Sequence, residues 1–391
     1  MKLHPLRLGY VPLTDAAPLI VAQELGFAAE EGLDLDLVRL GSWAQSRDYL
    51  TAGAVDAAHM LLPMPIAQRL GLGPAMPDLD LVMILSQGGQ AIAVSVALAD
   101  AMRAAGHGFD FSDARAAGAS LRMAARRLRV GVPFAFSTHA ELVWHWLLAS
   151  GFAADEVEVR TVPPPRMAEA LAAGEVDAAC VGEPWASVAV ETGAGVLLLP
   201  GRAIWASAPE KGLVLRHNFA ETQAEVTGRL MRAVWRAGRW LDEPGNRGTA
   251  AELLARPACL DLTSELTERG LSGRFVISPA GELREAPGFI RFHAGAATFP
   301  WRSIAALFAG RMARRFGLDL DSAMRRATAC FRTDLYRLHL RAAGADLPGA
   351  SAKIEGAMQH AHAVASESGR MILHPDAFFD GHIFDPASLP R

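Results

Sequence analysis

The sequence predicts a two-lobed α/β protein with a hinge, a central cleft and a C-terminal helical extension. Two observations carry the lobes. The string Ala-Gly-x-Val-Asp-Ala-Ala occurs twice, with Gly53 and Gly174 standing 121 residues apart. The segments that open the two copies, Leu6–Gly26 and Leu128–Gly151, also match, and their strand glycines Gly9 and Gly131 are 122 residues apart. A third observation carries the extension: beyond about Trp205 the apolar residues recur at helical spacing, between Gly and Pro breaks.

Each copy opens with a short apolar strand, Leu6–Gly9 or Leu128–Val132, and breaks at a proline-bearing loop. A helix then starts behind Thr14-Asp15 or Thr138-His139, with the threonines as expected N-caps. A second strand and helix follow. The repeated glycine then ends that helix, and Val-Asp-Ala-Ala enters a buried strand. The first unit runs from Leu6 to about Ser95, Ala97–Leu121 reads as an alanine-rich connector, and the second unit covers about Leu128–Leu199. Helices are expected at Gln223–Leu241, Thr249–Ala255, Trp301–Phe316 and Ser322–Leu340, with Met371–Arg391 as an irregular strap. The expected division is lobe I from 1–95 plus 205–391 and lobe II from 96–204. In such α/β sheets, ligands collect outside the carboxyl ends of the strands, where helix N-termini offer free N–H groups.

Composition narrows the function. At 391 residues with 51% apolar and 20% charged, the chain can bury a substantial core, and its net charge of −4 argues against a protein that coats nucleic acid. The basic clusters Arg122–Arg129 and Arg311–Arg315 are interrupted by apolar residues and read as solvated helix faces. Cys180, Cys259 and Cys330 are dispersed and odd in number, which suits buried reduced thiols rather than a disulfide framework or metal cluster. His59, His139, His145, His293 and His374 lack the spacing of a metal site, so neither metal nor cofactor is expected. No signal-peptide pattern follows Met1 and no run of eighteen apolar residues occurs, so the expectation is a cytoplasmic protein without membrane insertion.

Five segments are specific enough to carry a resemblance. SWAQSRDYLTAGAVDAAHMLLPMPIA (Ser42–Ala67), GGQAIAVS (Gly88–Ser95), FSTHAELVWHWLLASG (Phe136–Gly151), CVGEPW (Cys180–Trp185) and PEKGLVL (Pro209–Leu215) resemble the NrtA/CmpA family of nitrate- and bicarbonate-binding proteins. The resemblance extends from Leu6 to about Pro386 and implies the type II periplasmic-binding-protein fold. It also implies the ligand contacts of nitrate-binding members: Trp43, Gln90, His139, the backbone of Gly182, and Lys211. Bicarbonate-binding members differ around the lysine and bind a metal, so Lys211 implies nitrate or nitrite. Without an export leader, the chain looks most like the cytoplasmic NasS-type nitrate/nitrite sensor. The partner so implied is an ANTAR-domain antiterminator of NasT type. The sensor would hold it when empty and release it when liganded, with no direct contact to nucleic acid. The alternative is the solute-binding component of a nitrate/nitrite or bicarbonate ABC transporter.

The chemistry of these residue types fits the implied ligand. Nitrate is planar, singly charged and unprotonated near neutral pH, so its site needs donors and positive potential rather than a general base. Lys211 offers a full charge, Gln90 an amide, Trp43 an indole N–H, His139 ring N–H groups and Gly182 an unobstructed backbone N–H. Singly each has a plainer role: a core aromatic, a strand-edge amide, a helix-capping histidine, a turn glycine and a solvated lysine. Glu183-Pro184-Trp185 is expected to shape the wall of the cleft. An enzyme is not expected, because no serine or cysteine has an activating context. Pyrimidine-forming thiamine-biosynthesis proteins share the fold, but the clustered-cysteine motif of that group is missing here. On this reading Lys211→Ala and His139→Ala weaken nitrate binding at least tenfold, about 1.4 kcal/mol, and leave the melting profile nearly unchanged.

Overall fold

The computed structural model describes residues 2–387. Among the described residues, ten strands and one short edge strand build two mixed sheets: β1 His4–Tyr10, β2 Leu33–Arg39, β3 Ala57–Leu61, β4 Leu79–Gly88, β5 Gln90–Ser95, β6 Leu128–Val132, β7 Val157–Thr161, β8 Ala178–Gly182, β9 Gly195–Pro200 and β10 Pro209–Arg216. The first sheet has the order β2-β1-β3-β10-β4, with the short strand Ile290–Arg291 at the far edge; the second has the order β7-β6-β8-β5-β9. In both, three parallel strands are followed by an antiparallel one that arrives from the other half of the chain. The chain crosses between sheets twice, from β4 to β5 through Gly88-Gly89 and from β9 to β10. Strand Gln90–Ser95 therefore belongs to the second sheet, and the crossing comes before residue 95 rather than after it.

The duplication extends to register and to single hydrogen bonds. Leu8 and Gly9 face Ala57 and Ala58 in the first sheet, while Val130 and Gly131 face Ala178 and Ala179 in the second. The helix Trp43–Thr51 is followed by Gly53 at φ 76°, and Met167–Ala172 by Gly174 at φ 65°, a left-handed geometry that costs a glycine nothing. The aspartate of each motif then does the same work. Asp56 accepts from the backbone N–H of Arg7 at 2.9 Å, and Asp177 from that of Arg129 at 2.8 Å.

Several local expectations change. Ser137, not Thr138, caps the helix Thr138–Ala149, accepting from Ala140 N–H at 3.0 Å; the Thr138 hydroxyl instead donates to the Pro209 carbonyl at 2.7 Å. Thr14 is the first residue of a short 3₁₀ turn, Thr14–Ala16, with no side-chain cap. The connector holds two helices, Val96–Ala104 and Ala114–Ala124. Beyond β10, the helices Ala224–Asp242, Arg247–Ala255 and Arg302–Phe316 lie close to where the periodicity puts them. The expected helix Ser322–Leu340 is two helices, Leu320–Ala329 and Thr333–Leu340. Between them the backbone pairs with the sheet: Leu81 N–H donates to Cys330 at 2.8 Å, and Arg332 N–H donates to Leu81 at 2.9 Å.

The extension touches both lobes. At the edge of the second sheet, Leu197 N–H donates to the Ile277 carbonyl at 2.8 Å, and Arg103 pairs with Glu282 at 2.6 Å. In the strap, Phe378 stacks on Trp205 with ring centroids 4.7 Å apart, and Asp380 lies 3.2 Å from His145. Arg311 is not solvated but tucked beside Glu141 of the second lobe, which also pairs with Arg315 at 2.8 Å. Cys180, Cys259 and Cys330 are free and buried. Among the described residues, no helix is long and apolar enough to cross a membrane.

Candidate functional site

The crossovers bring the ends of β3, β8 and β10 together with two helix starts, between the sheets. Ser42 caps the helix Trp43–Thr51, accepting from Gln45 N–H at 3.2 Å, and so fixes Trp43 at the first helical position. His59 lies within β3, Gln90 begins β5, Gly182 ends β8, and His139 lies in the first turn of Thr138–Ala149. Strand β10 loses register against β4 around Lys211, and the consecutive side chains of Glu210 and Lys211 meet there. Trp43, Gln90, His139 and Lys211 are all at most 1% exposed.

A buried charge network holds the centre. Lys211 Nζ stands 2.7 Å from Asp15 Oδ2 and 2.7 Å from Glu210 Oε1, while lying 5.2 Å from the centroid of the Trp43 ring. His59 Nε2 is 2.9 Å from Asp15 Oδ1, and His139 Nδ1 is 3.0 Å from Glu210 Oε1. The rings of Trp43 and His59 pack at 5.3 Å. Gly182 faces Gln90 in register across β8 and β5, and a Cβ on it would fall 2.6 Å from Leu13 Cδ2 and 3.7 Å from Asp15 Oδ2. The structure thus gathers Trp43, His139 and Gly182 around Lys211 and Asp15 and carries Gln90 in through its pairing with Gly182.

Both lobes contribute, and they are drawn together. Thr14 N–H donates to the Glu183 carbonyl at 2.8 Å, and the Trp185 indole donates to the Pro12 carbonyl at 2.8 Å. Glu183-Pro184-Trp185 therefore forms the wall against the first lobe. The electrostatics follow from burial. Burial opposes ionisation of Asp15, but Lys211 and His59 hold its carboxyl down at about 2. Glu210 is likewise lowered, against burial, by His139 and Lys211. Lys211 is raised, against burial, by its two carboxylates. Burial lowers His59 despite Asp15 beside it. Burial also lifts the Glu183 carboxyl to about 7, with Ser187 and Arg269 opposing.

Four buried polar atoms of this site have no hydrogen-bond partner among the described residues: the donor Trp43 Nε1, the amide nitrogen and the accepting oxygen of Gln90, and His139 Nε2. Buried polar groups are rarely left so, and a small polar guest would satisfy them. The donor set is that of an anion or oxyanion site.

Residues 1–255 match the model of the NMT1-like family. The chain belongs to the NMT1-like family. Its relatives place it with the NrtA/CmpA nitrate- and bicarbonate-binding type, a group of solute-binding proteins rather than enzymes. It is 27% identical over 394 residues to the nitrate/nitrite binding protein NrtA of Nostoc sp., covering 97% of this chain and 82% of the relative. It is 30% identical over 315 residues to the nitrate import ATP-binding protein NrtC of Synechocystis sp., covering 79% of this chain but only 46% of that longer protein. Its fold resembles the crystal structure of the periplasmic nitrate-binding protein NrtA from Synechocystis, with a TM-score of 0.83, 24% identity and coverage of 99% and 96%. This NMT1-like protein has the periplasmic-binding-protein fold.

Sequence reasoning missed Asp15 and Glu210 as site residues and passed over His59. The signal for His59 lay in the repeat: 121 residues on, the second copy has Cys180 where the first has His59. The Thr-Asp and Thr-His pairs carried a similar asymmetry, since Asp15 and His139 enter the network from corresponding loops. A second carboxylate–histidine group, Asp80, His217 and Glu221, is tied by Arg332, at 2.8 Å from Asp80 and 2.5 Å from Glu221.

Proposed function

We propose that this protein binds nitrate or nitrite between its lobes, as the solute-binding component of an import system that passes the anion to a membrane permease. The observation that carries the reading is the set of unpartnered buried donors on Trp43, Gln90 and His139 around the Lys211 ammonium. The names of the relatives support the ligand, and those that name import machinery support the transport role. Charge-assisted hydrogen bonds contribute about 1.5–3 kcal/mol net each. Two or three therefore offset the dehydration of a weakly hydrated anion, and micromolar affinity, about −8 kcal/mol, is in reach.

Trp43 and Lys211 come from the first lobe, Gln90, His139 and Gly182 from the second. An anion that bonds to both binds the closed form preferentially, and that differential affinity sets how far the population moves. The sensor role, with an ANTAR-domain antiterminator as partner and a cytoplasmic location, rests on the resemblance alone, and the relatives favour transport.

Isothermal titration with nitrate, nitrite and bicarbonate, the last with and without calcium, tests the proposal. Saturable heat with nitrate or nitrite is the expected result. Binding of bicarbonate alone moves the protein to the carbon-uptake branch, and silence with all three refutes an anion site.

A further inference from the structure

We propose that the site takes up its anion together with a proton, which settles on the imidazoles of His59 and His139. The inference rests on the anion-binding reading above. The buried charges at the centre are two carboxylates, Asp15 and Glu210, against one ammonium, Lys211. With neutral imidazoles this leaves one negative charge in excess, before any ligand arrives. A bound nitrate adds another, in a place where no side chain of the network reaches water.

Such an excess is costly in a medium of low dielectric, and only the imidazoles stand ready to cancel it. Each already has a carboxylate as a neighbour, His59 Nε2 at 2.9 Å from Asp15 and His139 Nδ1 at 3.0 Å from Glu210. Each also keeps a ring nitrogen without a hydrogen-bond partner among the described residues. A proton gained on either ring returns the occupied site to the net charge of the empty one.

The other titratable groups facing the network do not supply that charge. Cys180, at the repeat position of His59, is raised by burial and stays a thiol. Glu183, which follows Gly182, is either neutral or a further negative charge, and Arg269 beside it is shared with Glu191 and Glu265. Burial holds His59 uncharged before the anion comes, so it has a proton to gain at neutral pH. By linkage, whatever raises the affinity of the ring for a proton is favoured by the proton in return.

The test is nitrate titration of the unaltered protein at pH 7.5 in buffers of different ionisation enthalpy, repeated from pH 6.5 to 9. The expected result is uptake of about half to one proton per nitrate, with affinity falling by up to about tenfold per pH unit as pH rises through this range. Nitrogen-15 spectra of labelled histidine should then gain an imidazolium signal when nitrate is added. Heats that do not depend on the buffer, with affinity flat in pH, overturn the proposal. Uptake without an imidazolium signal overturns the assignment to histidine and gives the proton to Glu183. No binding of nitrate or nitrite at any pH defeats the functional reading itself and takes this inference with it.

Discussion

Lys211 Nζ lies 2.7 Å from Asp15 Oδ2 across 196 residues of sequence, and both groups are buried. The contact joins the loop after the first strand to the strand that returns from the second lobe. Removing the ammonium strands two buried carboxylates, and breaking a buried pair in this way costs about 3–5 kcal/mol. Lys211→Met should therefore lower the urea-derived stability by about that amount and cut nitrate affinity at least tenfold, about 1.4 kcal/mol. Adding Glu210→Gln should restore part of the stability but not the affinity. The sequence alone led to a nearly unchanged melting profile for Lys211→Ala, since nothing in it set Asp15 and Glu210 against the ammonium. Native-like stability in Lys211→Met would contradict the buried triad.

Gly201 tests Gln90 without touching it. A Cβ at position 201 would fall 2.8 Å from Cδ, Cγ and Nε2 of Gln90, an amide that carries no internal hydrogen bond. Cγ as well as the amide of this buried side chain must shift, so Gly201→Ala should cost about 1–3 kcal/mol. The displaced amide should weaken nitrate binding about threefold or more. Calorimetry and urea unfolding of the same preparation check both halves, and unchanged affinity would remove Gln90 from the site.

The repeat made much of this fold readable. Leu6, Leu8 and Tyr10 alternate inward, Gly53 and Gly174 mark the same left-handed turn, and the sheets keep one register. The exchange of β5 and β10 between sheets was not legible, since an apolar run says that a strand is buried but not which sheet buries it. The five expected ligand residues came through motifs. Asp15, His59 and Glu210 did not, because a charged group inside a protein is set by its partners, and apart from the neighbours Glu210 and Lys211 these lie 44 to 196 residues away and leave no local pattern. The break at Cys330–Arg332 was hidden likewise, since its cause is pairing with Leu81.

Glu183 should make the stability of the protein depend on pH. Its carboxyl is lifted by burial from an ordinary 4.5 to about 7. Between those values the folded chain keeps a proton that the unfolded chain has lost, so stability falls as pH rises and levels off above about pH 8. The size is about 3 kcal/mol at 1.36 kcal/mol per unit. Glu183→Gln, neutral at every pH, lacks the term. The stability of the native protein relative to this variant should therefore decline by about that amount between pH 4.5 and 8. Parallel urea profiles would show that the group ionises freely.

The twin aspartates ask whether the duplicated lobes stand independently. Asp56 holds the backbone of Arg7, and Asp177 holds that of Arg129 together with its guanidinium, Nη2 to Oδ1 at 2.6 Å. Hydrogen bonds to a charged group contribute about 1.5–3 kcal/mol, less where solvent reaches them, and Asp177 is only partly covered. Asp56→Ala and Asp177→Ala should each cost about 1–3 kcal/mol, the second more, since it also frees Arg129. The two sites lie in different sheets and share no partner, so the double variant should lose the sum of the single losses to within about 0.5 kcal/mol. A larger deviation would mean that the two sites are energetically coupled, through contacts across the cleft such as Thr14 to Glu183 and Trp185 to Pro12. In that case the closed form is held by the protein itself, and the anion has correspondingly less to do in closing it.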